Sequence, residues 1–202
     1  SAVVHDIVCE NPDLTYGIIH IAWDKNSPHE DLYGMPENVK WVKVLYLSLE
    51  VNRDAFAEAC DPSALRMNFA ERQALTQRLM DGFSALIAGD VNPLWKLYDE
   101  GINPATRSYN LFGLFGTREF MQAIAGLGFF SEVPFGELFW KVRDFVSILF
   151  AILHERMPHA RVYHAHTTGY AALIAAAAAR DHGTSFLLTE HNLYIRDTVN
   201  TK

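Results

Sequence analysis

Residues 160–189, "ARVYHAHTTGYAALIAAAAARDHGTSFLLT", constrain the fold more than any other stretch. Ala160–His164 is a short β-prone run that leads into the polar string "AHTTGY". A helix of small residues is predicted over Gly169–Arg180, capped by Thr168 and stopped at His182–Gly183. Thr184–Thr189, "TSFLLT", is the next strand. Parallel strands cannot be joined by a tight turn, and this strand–helix–strand unit has the length of a parallel crossover. Parallel strands with covering helices imply an α/β sheet. The alanines let the helix pack close to that sheet and need no further explanation.

The earlier chain supplies two more strands. Residues 2–9 read as a short helix or strand, and 11–15, "NPDLT", as a turn. Tyr16–Trp23, "YGIIHIAW", is Ile-rich without a helical period and reads as a buried strand. Asp24–Asn38 is loop-like, and Val39–Leu47 reads as a strand half exposed at its start. From residue 51 to about 158 no strand is expected. Asn68 to Gly89 is an amphipathic helix, with Asn68 and Glu71 as a capping box and Leu75, Leu79, Phe83 and Leu86 as its stripe. Helical pieces follow at Pro93–Glu100, Thr117–Ala125 and Gly136–Arg156, the last striped by Phe139, Val142, Phe145, Val146, Leu149 and Leu153. The expectation for residues 1–202 is one Rossmann-like domain fragment: a parallel sheet with a large helical insertion over about 51–158.

Composition narrows the function. Twenty-four acids against 17 bases give a net charge of −7, which argues against nucleic acid as a partner. Cys9 and Cys60 are two isolated thiols, neither a disulfide framework nor a zinc site, as suits a reduced, cytoplasmic setting. The longest apolar runs, 145–153 and 171–179, fall far short of the ~20 residues a membrane-spanning helix needs. The opening "SAVVHDIV" has no signal-peptide pattern and reads as the inside of a structural element.

Ligands of an open parallel sheet bind outside the carboxyl ends of its strands. Two loops leave such ends, 164–169 and 189–196. They supply His164, His166, Thr167, Thr168, Glu190, His191, Tyr194 and Arg196. On a strand, His164 and His166 share a face and could meet one metal. No third ligand stands at a diagnostic spacing, so the metal signal is weak. His164 reads instead as a packed or hydrogen-bonded residue, and His166 stays open. Gly169 at a helix start would let backbone N–H groups approach an anion, or simply let helix and sheet pack closely. Glu190 and His191 are neighbours, so in an extended chain they point opposite ways. His191 could serve as a base, a donor to substrate or a solvated residue, and Arg196–Asp197 could be a surface ion pair.

The strings "YHAHTTGYAALIAA" and "FLLTEHNLYIRD" resemble the paired motifs of PelF-type glycosyltransferases, family 4 enzymes of bacterial exopolysaccharide synthesis. In that family the patterns are Y-H-x-x-x-T-G-Y-A-(G/A)-L and L-L-T-E-H-G-I-Y-x-R-E. "YGIIHIAW", "YGMPENVKWVKVLYL" and "PFGELFWKVRDFVSILFAI" resemble its second and third strands and an aromatic-rich helix, so the likeness covers most of the chain. It implies the N-terminal, acceptor-side half of a GT-B enzyme, with a nucleotide sugar of the UDP-glucose type as co-substrate and no cofactor. It makes His191 the catalytic histidine facing the donor sugar. His166, Thr168, Gly169, Thr189, Glu190, Tyr194 and Arg196 are then substrate-binding.

The implied partners are a saccharide acceptor, a C-terminal donor-binding domain that this chain lacks, and a membrane complex for exopolysaccharide synthesis. Without the donor domain the chain alone is expected to be inactive. The family's first strand and glycine-rich loop would precede residue 1. Asn192 replaces the family's Gly in a turn that Asn can still adopt, and Asp197 replaces Glu. The rival reading is a non-catalytic Rossmann-like binding or interaction module.

Overall fold

The computed structural model describes residues 2–26, 34–127 and 132–190. Helix α1 (Ala2–Glu10) precedes strands β1 (Tyr16–Ala22) and β2 (Val39–Tyr46). Among the described residues there follow α2 (Leu49–Ala59), a 3-10 turn (Pro62–Leu65), α3 (Phe69–Ile87), α4 (Asn92–Gly101), α5 (Phe112–Phe115), α6 (Arg118–Ala125) and α7 (Phe135–Leu153). The chain then makes β3 (Val162–Ala165), α8 (Tyr170–His182) and β4 (Ser185–Leu188). The protein is mixed α/β, and no strand lies among the described residues between β2 and β3. Among the described residues no helix is long and apolar enough to cross a membrane.

The strands pair in parallel, as the crossover length predicts, but as two separate pairs: β1 with β2, and β3 with β4. One continuous sheet is therefore not seen. The reason is that no described strand lies between β1 and β3. For the same reason β1 is only half-buried rather than the buried strand its sequence suggests; of its residues only Ala22 is buried.

The core is centred on the helical block and continues into β2, β3 and α8. Phe112, Leu114, Phe120, Leu138 and Ile152 are its most enclosed large side chains. Phe112 meets Phe150 edge-on with ring centroids 5.2 Å apart, and Phe150 meets Phe56 in the same way at 5.6 Å. Aromatic edges packed on faces add to the gain from burial alone. Asn68 and Glu71 form the expected capping box at the start of α3.

Two predicted stripes shift. Leu75 and Leu79 of α3 are buried, whereas Leu86, in the last turn, is 45% exposed. In α7 the buried face is Leu138, Val146, Phe150 and Leu153, while Phe139 and Phe145 are 38% and 55% exposed. That helix is apolar nearly all round, so its period allows several stripes. Contact with Phe56 and Phe112 selects the one containing Phe150.

Polar links join the strands to this block. Lys43 Nζ on β2 lies 2.6 Å from Glu155 Oε2, just past α7. Asn38 Nδ2 donates to the carbonyls of Val8, Asn11 and Leu14, fixing the end of α1 beside the start of β2.

Two outcomes follow. Phe112→Ala should destabilise the chain by roughly 3–5 kcal/mol in urea unfolding, because a 1% exposed ring leaves a cavity among other rings. The hydrogen bond from Lys43 holds the Glu155 carboxyl below its ordinary value. A depressed folded pKa gives stability that is present above the ordinary carboxylate range and fades as pH falls through the folded value. The stability of Glu155→Gln, followed by unfolding titrations from neutral to acid pH, should therefore fall less steeply than that of the parent.

Candidate functional site

The unit β3–α8–β4 builds the candidate site, and its register decides which groups meet. Tyr163 pairs with Phe186 and Ala165 with Leu188. The ladder runs one step further, where Thr189 N–H donates to Ala165 O at 2.8 Å. Thr189 is thereby held level with the end of β3. Its Oγ1 shares a 2.7 Å hydrogen bond with His164 Nε2. The His166 ring lies 4.1 Å from the His164 ring, tilted by 32°. Among the described residues, the end of β3 therefore meets the start of the second loop through the His164–Thr189 bond, with His166 against the His164 ring.

The H-x-H pair thus has a packing partner within itself and a hydroxyl partner across the sheet. His164 is hydrogen-bonded, as one reading allowed, but its side chain is exposed rather than packed in the core. Among the described residues no group of three or more His, Cys, Asp or Glu gathers at metal-binding distance.

Thr168 is not the cap of α8. The N-cap is Gly169, which makes no side-chain cap bond, at φ 76° and ψ −135°. Only glycine adopts that backbone readily. It turns the chain from β3 into α8 and leaves the first N–H groups of the helix without a side-chain acceptor, on the end where the helix dipole is positive. Glu190 follows Thr189 and is exposed. His191, Tyr194 and Arg196 lie outside the described residues.

The unit is anchored from below by α4. Arg180 pairs with Asp99, Nε to Oδ1 at 2.8 Å, and its guanidinium lies 5.3 Å from the Trp95 ring centre. Tyr98 Oη donates to Asp181 Oδ1 at 2.8 Å. Burial raises the pKa of both partners; for Asp181 it outweighs the lowering by Tyr98. Tyr163 Oη donates to Pro158 O at 2.6 Å and fixes the entry to β3.

A cavity of about 860 Å³ adjoins the site. It runs along residues 159–167 on one side and along Leu14–Gly17, Ile19 and Ile21 on the other. Lys40 and Trp41 of β2 also line it, and neither was expected as a site residue. One signal was available: Gly17 interrupts an apolar strand, and an isolated Gly in a strand often marks a close approach. A Cβ there would stand 2.0 Å from the Trp41 ring, so the indole occupies the space a side chain would fill.

The chain belongs to the family described as Domain of unknown function (DUF3492), which matches residues 1–199. No curated protein and no solved structure matches it.

The turn at Gly169 gives a direct test. An added Cβ would meet nothing within 4 Å, so any cost of Gly169→Ala is conformational and not steric. The expected loss is roughly 1–3 kcal/mol in chemical unfolding. An unchanged stability would show that the turn is not held in this conformation.

Proposed function

We propose that this member of the DUF3492 family is the acceptor-side half of a retaining glycosyltransferase of the PelF type. In this reading it is one Rossmann-like half of a cytoplasmic GT-B enzyme of exopolysaccharide synthesis. A nucleotide sugar of the UDP-glucose type is the donor.

The observation that carries the reading is the His164–Thr189 hydrogen bond. It ties the "YHAHTTGY" loop to the "LLTEH" exit, the two strings on which the resemblance rests. Both stand at the carboxyl end of a parallel pair, beside the uncapped start of α8, where α/β sheets hold polar and anionic ligands.

Each residue has a role within that reading. Glu190 accepts hydrogen bonds from acceptor hydroxyls, since an ionised carboxylate offers only acceptors. His166 and Thr168 bind neighbouring hydroxyls, and Gly169 keeps the helix start open to them. Thr189 orients His164. By the resemblance, His191 is the catalytic histidine, and Tyr194 and Arg196 bind substrate. The leaving diphosphate belongs to the C-terminal donor domain, where helix dipoles and basic side chains stabilise it.

The decisive experiment uses the polypeptide that includes the donor domain. His191→Ala should lower sugar transfer from a UDP-hexose by roughly 100-fold or more, the range for losing one positioned imidazole, with the melting temperature unchanged. Near-normal transfer by that variant would remove His191 from catalysis. A parent polypeptide that transfers no sugar from any nucleotide donor would favour the non-catalytic module.

A further inference from the structure

The two thiols of the chain, Cys9 and Cys60, have opposite surroundings. Cys60 stands just past α2, in an apolar pocket with Phe56, Phe115 and Met121. Burial pushes its thiol up to about 12, so it stays protonated and packs as a small apolar side chain. Cys9 lies in the last turn of α1 and is exposed.

The helix chooses the neighbours of Cys9. Residues four apart share a helix face, which sets His5 one turn before it. Cys9 Sγ lies 3.5 Å from His5 Nε2 and 3.9 Å from His5 Nδ1. The His5 Nδ1 atom in turn lies 3.5 Å from Asp6 Oδ1. An ionised carboxylate only accepts, so the proton of the neutral ring belongs on Nδ1, beside Asp6. That leaves Nε2, the nitrogen nearer the thiol, as an acceptor. When the ring gains a second proton, the same carboxylate becomes its ion-pair partner.

The thiolate, not the thiol, is the nucleophile, and oxidation selects cysteines that are both exposed and readily ionised. Cys9 has the exposure and a base at hand; Cys60 has neither. The fold also tolerates a change at Cys9. Its neighbour Val8 is 2% exposed and anchors α1, and Asn38 holds the Val8 carbonyl at the start of β2. An oxygen added to Sγ meets solvent and leaves that anchor in place.

We propose that Cys9 is an oxidation site for peroxides, with His5 as its base. Sγ passes its proton to His5 Nε2 and attacks one peroxide oxygen. The S–O bond forms as the O–O bond breaks, and the sulfur is oxidised by two electrons to a sulfenic acid. The peroxide is the oxidant and is reduced. With hydrogen peroxide the leaving hydroxide takes the proton from Nε2 and departs as water, which returns His5 to its neutral form. Cys60, enclosed and protonated, does not trap the product as a disulfide within this chain. The sulfenic acid therefore condenses with a thiol from solution.

The test treats the protein with hydrogen peroxide and dimedone, which labels sulfenic acids, and follows each cysteine by mass spectrometry. Cys9 should take the label and Cys60 should not. A free thiol is only a few per cent ionised at neutral pH, so a base can speed its reaction on the order of 10-fold. His5→Ala should slow labelling of Cys9 by about that factor, with the melting temperature unchanged. At about pH 10 the solvent ionises a thiol unaided, and the parent and His5→Ala should then react alike. Three results would overturn the proposal: equal rates at neutral pH, label appearing first on Cys60, or a difference between parent and variant that persists at about pH 10. The last would mean that His5 acts through the shape of the helix and not as a base.

Discussion

Parallel pairing is the constraint on which everything else in this protein depends. Each parallel step needs a long return path, and the return must itself be structured to hold the strands in register. Between β3 and β4 that path is α8, short and rich in alanine. Strands β2 and β3 belong to different pairs, and the chain between them, with α2 to α7, supplies most of the hydrophobic core. Stability and candidate chemistry are thereby separated. The enclosed rings of Phe112 and Phe120 lie in that helical stretch, whereas His164, Thr189 and Glu190 sit at the ends of two short strands, β3 alternately buried and β4 exposed.

The joint between the two regions lies where α4 meets α8, and it is geometric more than energetic. Arg180 and Asp99 are both more than a third exposed, and an ion pair of that kind contributes little net stability. Tyr98–Asp181 is more enclosed, yet burial raises the pKa of Asp181 despite its bond to Tyr98, so the charged form is disfavoured there. These contacts do fix the roll of α8 about its axis. They also place Arg180 over Trp95, which is packed against the core. Gly169 begins the same helix, so the contacts that hold α8 on α4 also position the open helix start.

Much of this was legible in the sequence because it depends on local signals. The parallel crossover followed from a strand, a small-residue helix and a strand within one short span. The start of α3 followed from Asn68 and Glu71, and the end of α8 from Gly183, which adopts the left-handed conformation. Less was legible where a choice is made by distant partners. The apolar surface of α7 did not reveal that Phe150, rather than Phe145, would meet Phe56 and Phe112. Thr168 has the chemistry of a cap, but the chain must reverse sharply out of β3, and the residue at that turn is Gly169. At the site, the meeting of His164 with Thr189 depends on strand register, which spacing alone suggests but does not fix. The part played by Gly17 and Trp41 depends on a contact between two strands and has no motif.

The cavity and the candidate site share a wall. His164, His166 and Thr167 border the cavity, and His164 and His166 also belong to the loop cluster at the strand ends. The His164 imidazole also meets Thr189, so one residue joins the cavity wall to the register of the β3–β4 pair. Short strands with exposed residues open locally at low cost, and the side chains that they carry move with them. A ligand that needs His166 and Glu190 in one arrangement bears part of the entropy of ordering them. The His164–Thr189 bond lowers that cost, because it holds the two strand ends level before anything binds.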